Sequence, residues 1–320
     1  MRAAVVREVG ATPELGELPD PKRGDGEALV QVRAAALNPI DLAIASGRFY
    51  AGPPQVPFAP GREGVGLVLE AETVAPGVRV RFERDSGYGA NGSLAELIVV
   101  DEAALVPLPD EADDAVAAAL GIAGLAAWLA LAKADVPQGG TVLVLGATGA
   151  VGQVAVQGAK LLGAGTVIAA ARNADALERT RELGADALVP LGDGDLTAAY
   201  RDAAGGEVDV VIDPLWGEPA VAALGALRLG GRLVHLGTAA GLEATVPSAP
   251  LRGKNIRIVG HSNLTTPHET KAAAYLELLD HAIAGRIRVD LDVFPLDRVA
   301  DAWREQAASP HRKIVVTLMH

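Results

Sequence analysis

The 320-residue chain contains no cysteine, and only 3% of its residues are aromatic. Without cysteine it can form no disulfide, no thiolate nucleophile and none of the zinc sites that use cysteine ligands. Because aromatic side chains are so few, alanine, valine and leucine must fill most of the core, and hydrophobic residues make up 50% of the chain. A chain of this length and composition predicts two domains.

Positive charge is also scarce, since 28 Lys and Arg stand against 40 Asp and Glu and give a formal net charge of −12 at pH 7. Such a chain repels phosphate backbones, so we expect a small-molecule substrate and no nucleic-acid partner. The opening stretch MRAAVVREVG has charges at Arg2, Arg7 and Glu8 and no long apolar core. It therefore predicts no secretory signal and a cytoplasmic location.

One uncharged run approaches the length of a membrane span. It covers residues 115–132, AVAAALGIAGLAAWLALA, close to the minimum length for a spanning helix. Alanine is only weakly apolar, Gly121 and Gly124 interrupt the run, and Asp114 and Lys133 flank it. We therefore predict a buried helix pair at a domain junction and no membrane partner.

The pattern of the chain changes after about residue 110. Before that point, short alternating segments are separated by Gly and Pro, which predicts a barrel-like β unit. From Thr141 onward strands and helices alternate, and this order predicts a doubly wound parallel sheet. A long helix follows residue 262, and the last strand, KIVVTLM, is expected to rejoin the first unit. The predicted strands are 141–145, 166–171, 186–189, 208–213, 232–236 and 255–259, and the predicted helices are 150–163, 174–183, 194–203 and 217–228.

Three glycines at three-residue spacing lie between the first of these strands and the first helix, in LGATGAVG. In this context Gly146 allows a tight exit from the strand, Gly149 lets a pyrophosphate approach the backbone, and Gly152 permits close packing. The pattern predicts a dinucleotide site whose phosphates bind the amides of Ala150 and Val151. The alternative is that the glycines serve packing only. The predicted loop residues are Gly146, Thr148, Gly149, Ala150, Val151 and Gly152.

The end of the second predicted strand bears on which dinucleotide binds. An NAD site usually carries an acidic residue there, whereas this strand reads TVIAAARN and ends on Arg172 and Asn173. Arg172 can pair with a 2′-phosphate through two parallel hydrogen bonds, so we predict NADPH as the cofactor. Asp175 would oppose that phosphate, and Arg172 as a merely solvated residue remains the alternative.

Four segments carry a combined signature: AAALNPIDLAIASGRF, PFAPGREGVGLV, the glycine loop with its helix, and VFPLDRVADAWREQAASPHRKIVV. Together they resemble the medium-chain dehydrogenase/reductase superfamily, and within it the zinc-free quinone oxidoreductase branch. The resemblance implies an α/β protein with a Rossmann doubly wound parallel sheet and a GroES-like β-barrel domain, with the active site in the cleft between them. It also implies a homodimer. The expected domains are 1–115 (GroES-like), 116–260 (Rossmann, NADPH-binding) and 261–320 (return to the catalytic domain).

The chain departs from the metal-dependent members of this superfamily. Those members place a Cys where Asn38 stands and a His where Arg62 stands. The six histidines, among them His320, are scattered and show no metal-ligand spacing. We therefore predict no metal.

Two residues are candidates for catalysis. Asn38 could contact the nicotinamide ribose or the substrate carbonyl, since an amide both donates and accepts; a turn-forming role in Asn-Pro is the alternative. Tyr50 could donate a proton or a hydrogen bond, although Phe49 occupies the spacing at which relatives carry a tyrosine. Asp41 is expected to cap the helical turn that follows it. The resemblance adds cofactor contacts at Asp213, Leu215, Leu236, Gly237, Thr238, Ser262 and Asn263.

Without a metal, hydrogen-bond donors and orientation must polarise the hydride acceptor, which favours an electron-poor one. We therefore expect a zinc-independent, NADPH-dependent oxidoreductase that reduces a quinone or an α,β-unsaturated carbonyl. Two alternatives remain open, a non-redox biosynthetic enzyme such as a cyclase and an NADPH-binding protein without turnover. The displaced tyrosine motivates the non-redox alternative, as does Ala126, which stands where relatives often carry a hydroxyl.

Overall fold

A computed structural model describes residues 1–318, so His320 lies outside the described part of the chain. The chain forms two compact units. The first comprises Met1–Ile122, Tyr275–Ile283 and the chain from Asp290 onward, and the second comprises Ala123–Ala274 and Ala284–Val289. These boundaries differ from the expected breaks at 115/116 and 260/261, because residues 116–122 pack on strands of the first unit and residues 261–274 stay with the second.

The secondary structure follows the order that alternation predicts. The strands are β1 Arg2–Val5, β2 Glu14–Glu17, β3 Glu27–Ala36, β4 Glu63–Glu70, β5 Arg79–Glu83, β6 Leu97–Asp101, β7 Val106–Pro107, β8 Thr141–Leu145, β9 Thr166–Ala171, β10 Ala187–Pro190, β11 Val208–Asp213, β12 Leu227–His235, β13 Arg257–Gly260, β14 Leu291–Pro295 and β15 Lys313–Thr317. The helices are α1 Pro39–Ala45, α2 Asp114–Ala119, α3 Leu125–Ala134, α4 Ala150–Leu161, α5 Ala174–Arg179, α6 Leu196–Ala204, α7 Gly217–Ala226, α8 Ser248–Gly253, α9 His268–Ile283 and α10 Val299–Ala307.

The first unit is built on a seven-stranded sheet. Its strands run in the order β14-β15-β3-β4-β5-β7, and β6 pairs with β3. In β3, every second side chain from Ala28 to Ala34 is buried while the side chains between them are partly exposed, as expected for a strand with one face on a core. The last strand, β15, pairs antiparallel with β3, so the chain returns to the first unit as the sequence indicates.

The second unit is a six-stranded parallel sheet in the order β10-β9-β8-β11-β12-β13. Nearly all side chains of β8 and β9 are buried, because helices cover both faces. Helices α6 and α7 pack with residues of β8, β9 and β11 in one apolar cluster, whereas α3 and α4 pack on each other away from that cluster. The predicted doubly wound Rossmann sheet is therefore confirmed.

Two segments differ from the sequence prediction. Strand β12 begins at Leu227, where a helix was predicted to reach 228, because Leu227 pairs with Val208 of β11. The expected helix pair at residues 115–132 is one helical run, Asp114–Ala134, broken only by a π turn at Leu120–Gly124. This run is long and apolar enough to cross a membrane, but 72% of its most apolar window is buried, so it is a core helix of the protein.

Candidate active site

The glycine loop joins β8 to α4 in the second unit. Gly146 has φ +60°, a conformation that favours glycine, and a Cβ on Gly152 would overlap the backbone of Gly146 and Ala147. Gly149 is different, because a Cβ there would meet nothing nearer than Gly146 O at 3.7 Å. Packing therefore explains Gly152 but not Gly149, whose open surface suits the approach of a phosphate.

The first amides of α4 lie directly beside Gly149. The helix begins at Ala150, and its first turn is closed by the hydrogen bond from Gln153 N to Gly149 O at 2.9 Å. The amides of Ala150 and Val151 precede that bond, at the positive end of the helix dipole. Backbone amides in this position can bind an anion, and the diphosphate of a dinucleotide at Ala150 and Val151 stays a prediction that this geometry allows.

Arg172 and Asn173 follow the end of β9 and have different roles. Asn173 is the N-cap of α5, since its Oδ1 accepts a hydrogen bond from Ala176 N at 2.8 Å. Arg172 is exposed, and no hydrogen-bond or ion-pair partner for it is found within residues 1–318. Its guanidinium is therefore available to an external anion, whereas Asn173 is accounted for by the helix cap.

The ligand crevice of such a sheet lies where helices leave neighbouring strands toward opposite faces. Here α4 follows β8 to one face and α7 follows β11 to the other. The two connections approach closely, because a Cβ on Gly146 would lie 3.0 Å from Leu215 Cδ2. Leu236 N donates to Asp213 O at 2.9 Å and Gly237 packs against Pro214 O, so the segment after β12 joins the same crevice.

The other predicted cofactor residues, Thr238, Ser262 and Asn263, lie in the segments that follow β12 and β13. Thr238 follows Gly237 and its carbonyl accepts from Gly241 N at 3.3 Å. Ser262 Oγ accepts from Leu264 N at 3.2 Å, and Asn263 Oδ1 lies 3.0 Å from His261 Nε2. Ser262 and Asn263 come after β13, one strand beyond β12, and their side chains serve the local turn.

A buried carboxylate at the end of β11 organises this crevice. Asp213 is fully buried; its Oδ1 accepts from Leu215 N at 2.9 Å and Trp216 N at 2.8 Å, and its Oδ2 lies 2.9 Å from His235 Nδ1. Burial raises the pKa of Asp213, and these hydrogen bonds oppose the rise. His235 is one of the six histidines that show no metal-ligand spacing in the sequence. Only the strand register could have pointed to it, because Asp213 and His235 end neighbouring parallel strands and face each other.

In the first unit, Asn38 lies in a closed polar network. The side chain is 3% exposed, its Oδ1 accepts from Lys313 Nζ at 2.6 Å, and its Nδ2 donates to Glu63 Oε1 at 2.7 Å and Ala36 O at 3.3 Å. Both amide hydrogens are thus engaged. The proposed contact of Asn38 with substrate or cofactor stays a prediction, and only the second lone pair of Oδ1 is left for it.

The same network contains a buried ion pair that the sequence does not indicate. Lys313 and Glu63 form a buried ion pair with 3.3 Å between Nζ and Oε1, and Glu63 Oε2 accepts from Ile122 N within the π turn. A Cβ on Gly121 would collide with Glu63 Oε2, so the turn is shaped around the carboxylate. No local pattern links Lys313 with Glu63, because 250 positions separate them.

Asp41 does not cap its helix in the expected way. Asn38 is the N-cap of α1, and Asp41, in the first turn, reaches back to accept from Asn38 N at 2.8 Å through Oδ2. Its Oδ1 is buried without a hydrogen-bond partner in the described chain. Burial raises the pKa of Asp41 to about 7, with Glu63 adding to the rise and the backbone bond and Lys313 opposing it.

Tyr50 is 83% exposed, and its ring lies 4.2 Å from that of Phe49 between centroids. Phe49 in turn lies 6.5 Å from Tyr88, whose hydroxyl donates to Gly52 O at 3.0 Å. The Tyr50 hydroxyl makes no hydrogen bond to the described residues, so it can donate to a ligand; its catalytic role stays a prediction. Across residues 1–318, no three His, Asp or Glu side chains form a group that could hold a metal ion.

Comparison with known proteins agrees with this architecture. Residues 24–110 match the family model of the alcohol dehydrogenase GroES-like domain, and residues 150–280 match that of zinc-binding dehydrogenases. Quinone oxidoreductase-like protein 2 of Rattus norvegicus is 33% identical over 312 residues, covering 94% of this chain and 87% of that protein.

Solved structures give the same result. The quinone oxidoreductase from Thermus thermophilus, whose structure was solved alone and in complex with NADPH, is 32% identical with a TM-score of 0.80, covering 99% of this chain and 100% of that one. An NAD-dependent alcohol dehydrogenase is 29% identical with a TM-score of 0.87 and full coverage of both chains. The chain therefore belongs to the medium-chain dehydrogenase/reductase superfamily, in its quinone oxidoreductase-like branch, and is an oxidoreductase of that type.

Proposed function

We propose that the protein is a zinc-independent oxidoreductase that uses NADPH to reduce a quinone or an α,β-unsaturated carbonyl. The observation that carries the cofactor choice is Arg172, an exposed guanidinium without a partner among the described residues at the end of β9. At this position an NAD site usually has an acid that accepts from the ribose 2′-hydroxyl, whereas a guanidinium matches a 2′-phosphate. The NADPH complex of the Thermus thermophilus quinone oxidoreductase supports the same choice.

The second unit has groups that fit each part of this cofactor. The amides of Ala150 and Val151 would hold the diphosphate, and the open surface at Gly149 allows it to approach. Arg172 would hold the 2′-phosphate, and the crevice beside Leu215 and Gly237 would take the nicotinamide half. When bound, the cofactor supplies hydride from C4 of its nicotinamide ring.

The polar groups of the first unit favour an acceptor that is already electron-poor. Asn38 has both amide hydrogens engaged, so it cannot donate to a developing oxyanion without leaving Glu63 or Ala36 O. Tyr50 retains a free hydroxyl donor. A single neutral donor polarises an acceptor less than a Lewis acid does, and quinones and enones need less polarisation than plain ketones.

Turnover with a panel of acceptors tests this proposal. We expect the purified protein to oxidise NADPH with quinones or enones, to yield products heavier by two hydrogens, and to act poorly on plain ketones. Tyr50→Phe should lower kcat, whereas Tyr88→Phe, the matched aromatic control, should not, because the Tyr88 hydroxyl is already bonded to Gly52 O. Tight NADPH binding without oxidation by any acceptor, or a product of unchanged mass, would contradict the proposal.

We also propose a cytoplasmic homodimer. Strand β13 is an edge of the six-stranded sheet, pairs only with β12 in the described chain, and exposes Arg257 and Ile258. An exposed edge strand offers unpaired backbone groups to a second copy. Light scattering after size exclusion should give twice the mass of the 32.7 kDa chain, and a single-chain mass would refute the dimer.

A further inference from the structure

We propose that His235, oriented by Asp213, binds the nicotinamide half of the cofactor. This inference rests on the proposed function. It assigns a role to a side chain that neither the sequence motifs nor the glycine loop points to.

The strand order sets the direction in which the cofactor lies. Arg172, which would take the 2′-phosphate, follows β9, and the diphosphate-binding amides follow β8. The order continues through β11 to β12, which ends at His235. Three interstrand spacings separate β9 from β12, about 14 Å in all. An extended dinucleotide that starts at Arg172 and crosses β8 therefore brings its nicotinamide half to the ends of β11 and β12.

The hydrogen bond to Asp213 fixes which nitrogen of His235 is available. Asp213 Oδ1 already accepts from Leu215 N and Trp216 N, and Oδ2 takes the bond from His235 Nδ1 at 2.9 Å. A carboxylate accepts, so Nδ1 carries a hydrogen, and in the neutral imidazole Nε2 then presents a lone pair. Nε2 has no partner within residues 1–318, and 26% of the side chain is exposed. It can accept from the carboxamide NH₂ of nicotinamide or from a ribose hydroxyl.

The imidazole is held in place from a second side as well. The Trp216 ring lies 4.5 Å from the His235 ring, between centroids, at an interplanar angle of 47°. Trp216 has φ +59° and ψ −162°, a backbone region that is essentially restricted to glycine. The hydrogen bond from its backbone N–H to Asp213 Oδ1 maintains this strained conformation. One buried carboxylate thus fixes both the ring and the aromatic residue that packs on it, which is the arrangement of a pre-organised binding group.

Binding of two ligands to the intact protein tests the inference. NADPH contains the nicotinamide half, whereas adenosine 2′,5′-bisphosphate contains only the 2′-phosphate end. We expect His235→Phe, which keeps a flat ring and removes the acceptor, to weaken NADPH binding about tenfold, as for the loss of one hydrogen bond. Binding of the bisphosphate should not change, which also shows that the variant is folded. Fluorescence titration or calorimetry gives both dissociation constants.

A second variant separates positioning from contact. In Asp213→Asn the amide oxygen can still accept from Leu215 N and Trp216 N, but the amide nitrogen donates to Nδ1 and forces the hydrogen onto Nε2. We expect the same selective loss of NADPH affinity. His268→Phe, on a histidine at the start of α9 in the same unit, is the matched control and should change neither constant.

The outcomes are distinct. If His235→Phe binds NADPH as tightly as the unaltered protein, or if both ligands weaken equally, His235 does not contact the nicotinamide half. If Asp213→Asn keeps full NADPH affinity, the positioning role of Asp213 is wrong. If the unaltered protein binds neither ligand, the proposed cofactor fails and the inference fails with it.

Discussion

The two units each contain a buried carboxylate network, and the networks differ in one respect. In the first unit, Glu63 joins Lys313, Asn38 and Ile122 N, and both of its oxygens are bonded within the protein. In the second unit, Asp213 is equally buried, but its partner His235 keeps a free nitrogen at the carboxyl edge of the sheet. The closed network holds the fold together and leaves one lone pair of Asn38 Oδ1 for a ligand, whereas the open network leaves a ring nitrogen of His235 without a partner among the described residues.

The largest effect should come from breaking the closed network. Lys313→Met removes the cation that is bonded to the buried Glu63, and we expect the free energy of unfolding to fall by about 3–5 kcal/mol in urea titrations. Arg312→Met is the matched control, since Arg312 is half exposed in its pair with Asp292, and it should cost less than about 1 kcal/mol. Equal losses in the two variants would show that Lys313 does not support the network.

A smaller effect should follow from crowding the π turn. Gly121→Ala places a Cβ against Glu63 Oε2, so the carboxylate or the turn must move, at a cost of about 1–3 kcal/mol. In Gly253→Ala the new methyl group meets nothing within 4 Å, and thermal unfolding should be nearly unchanged. A Gly121→Ala protein with unaltered melting temperature would mean that the turn does not depend on Glu63.

Asp41 should add a pH dependence that belongs to the first unit alone. Its pKa of about 7 in the folded protein lies above its value in the unfolded chain, near 3.9. Between these values the folded state holds a proton that the unfolded chain has lost, so stability falls as pH rises from about 4 to 7. Asp41→Asn should flatten this part of the profile, by an amount on the order of 1 kcal/mol or more. The exposed Asp25→Asn should leave the slope intact, and an unchanged slope in Asp41→Asn would contradict the assignment.

The two units also differ in how much of their candidate sites could be predicted from the sequence. The glycine loop, β8, β9 and Arg172 lie within 33 consecutive residues, so local periodicity and turn chemistry were enough to place them. Asn38, Glu63 and Lys313 come together only because β15 returns to β3, and no local pattern reports that pairing. The contact between His235 and Asp213 could be predicted only from the register between β11 and β12. The start of β12 was missed for a similar reason, since pairing with β11 outweighs the local preference of Leu227 and Arg228.

The proposed roles of Arg172 and His235 both depend on NADPH as the cofactor. The direct measurement compares dissociation constants for NADPH and NADH in the unaltered protein and in Arg172→Ala. We predict that the unaltered protein prefers NADPH by about tenfold or more, and that Arg172→Ala loses this preference while its affinity for NADH stays the same. Equal affinity of the unaltered protein for the two cofactors, or a preference that survives the substitution, would contradict the central claim.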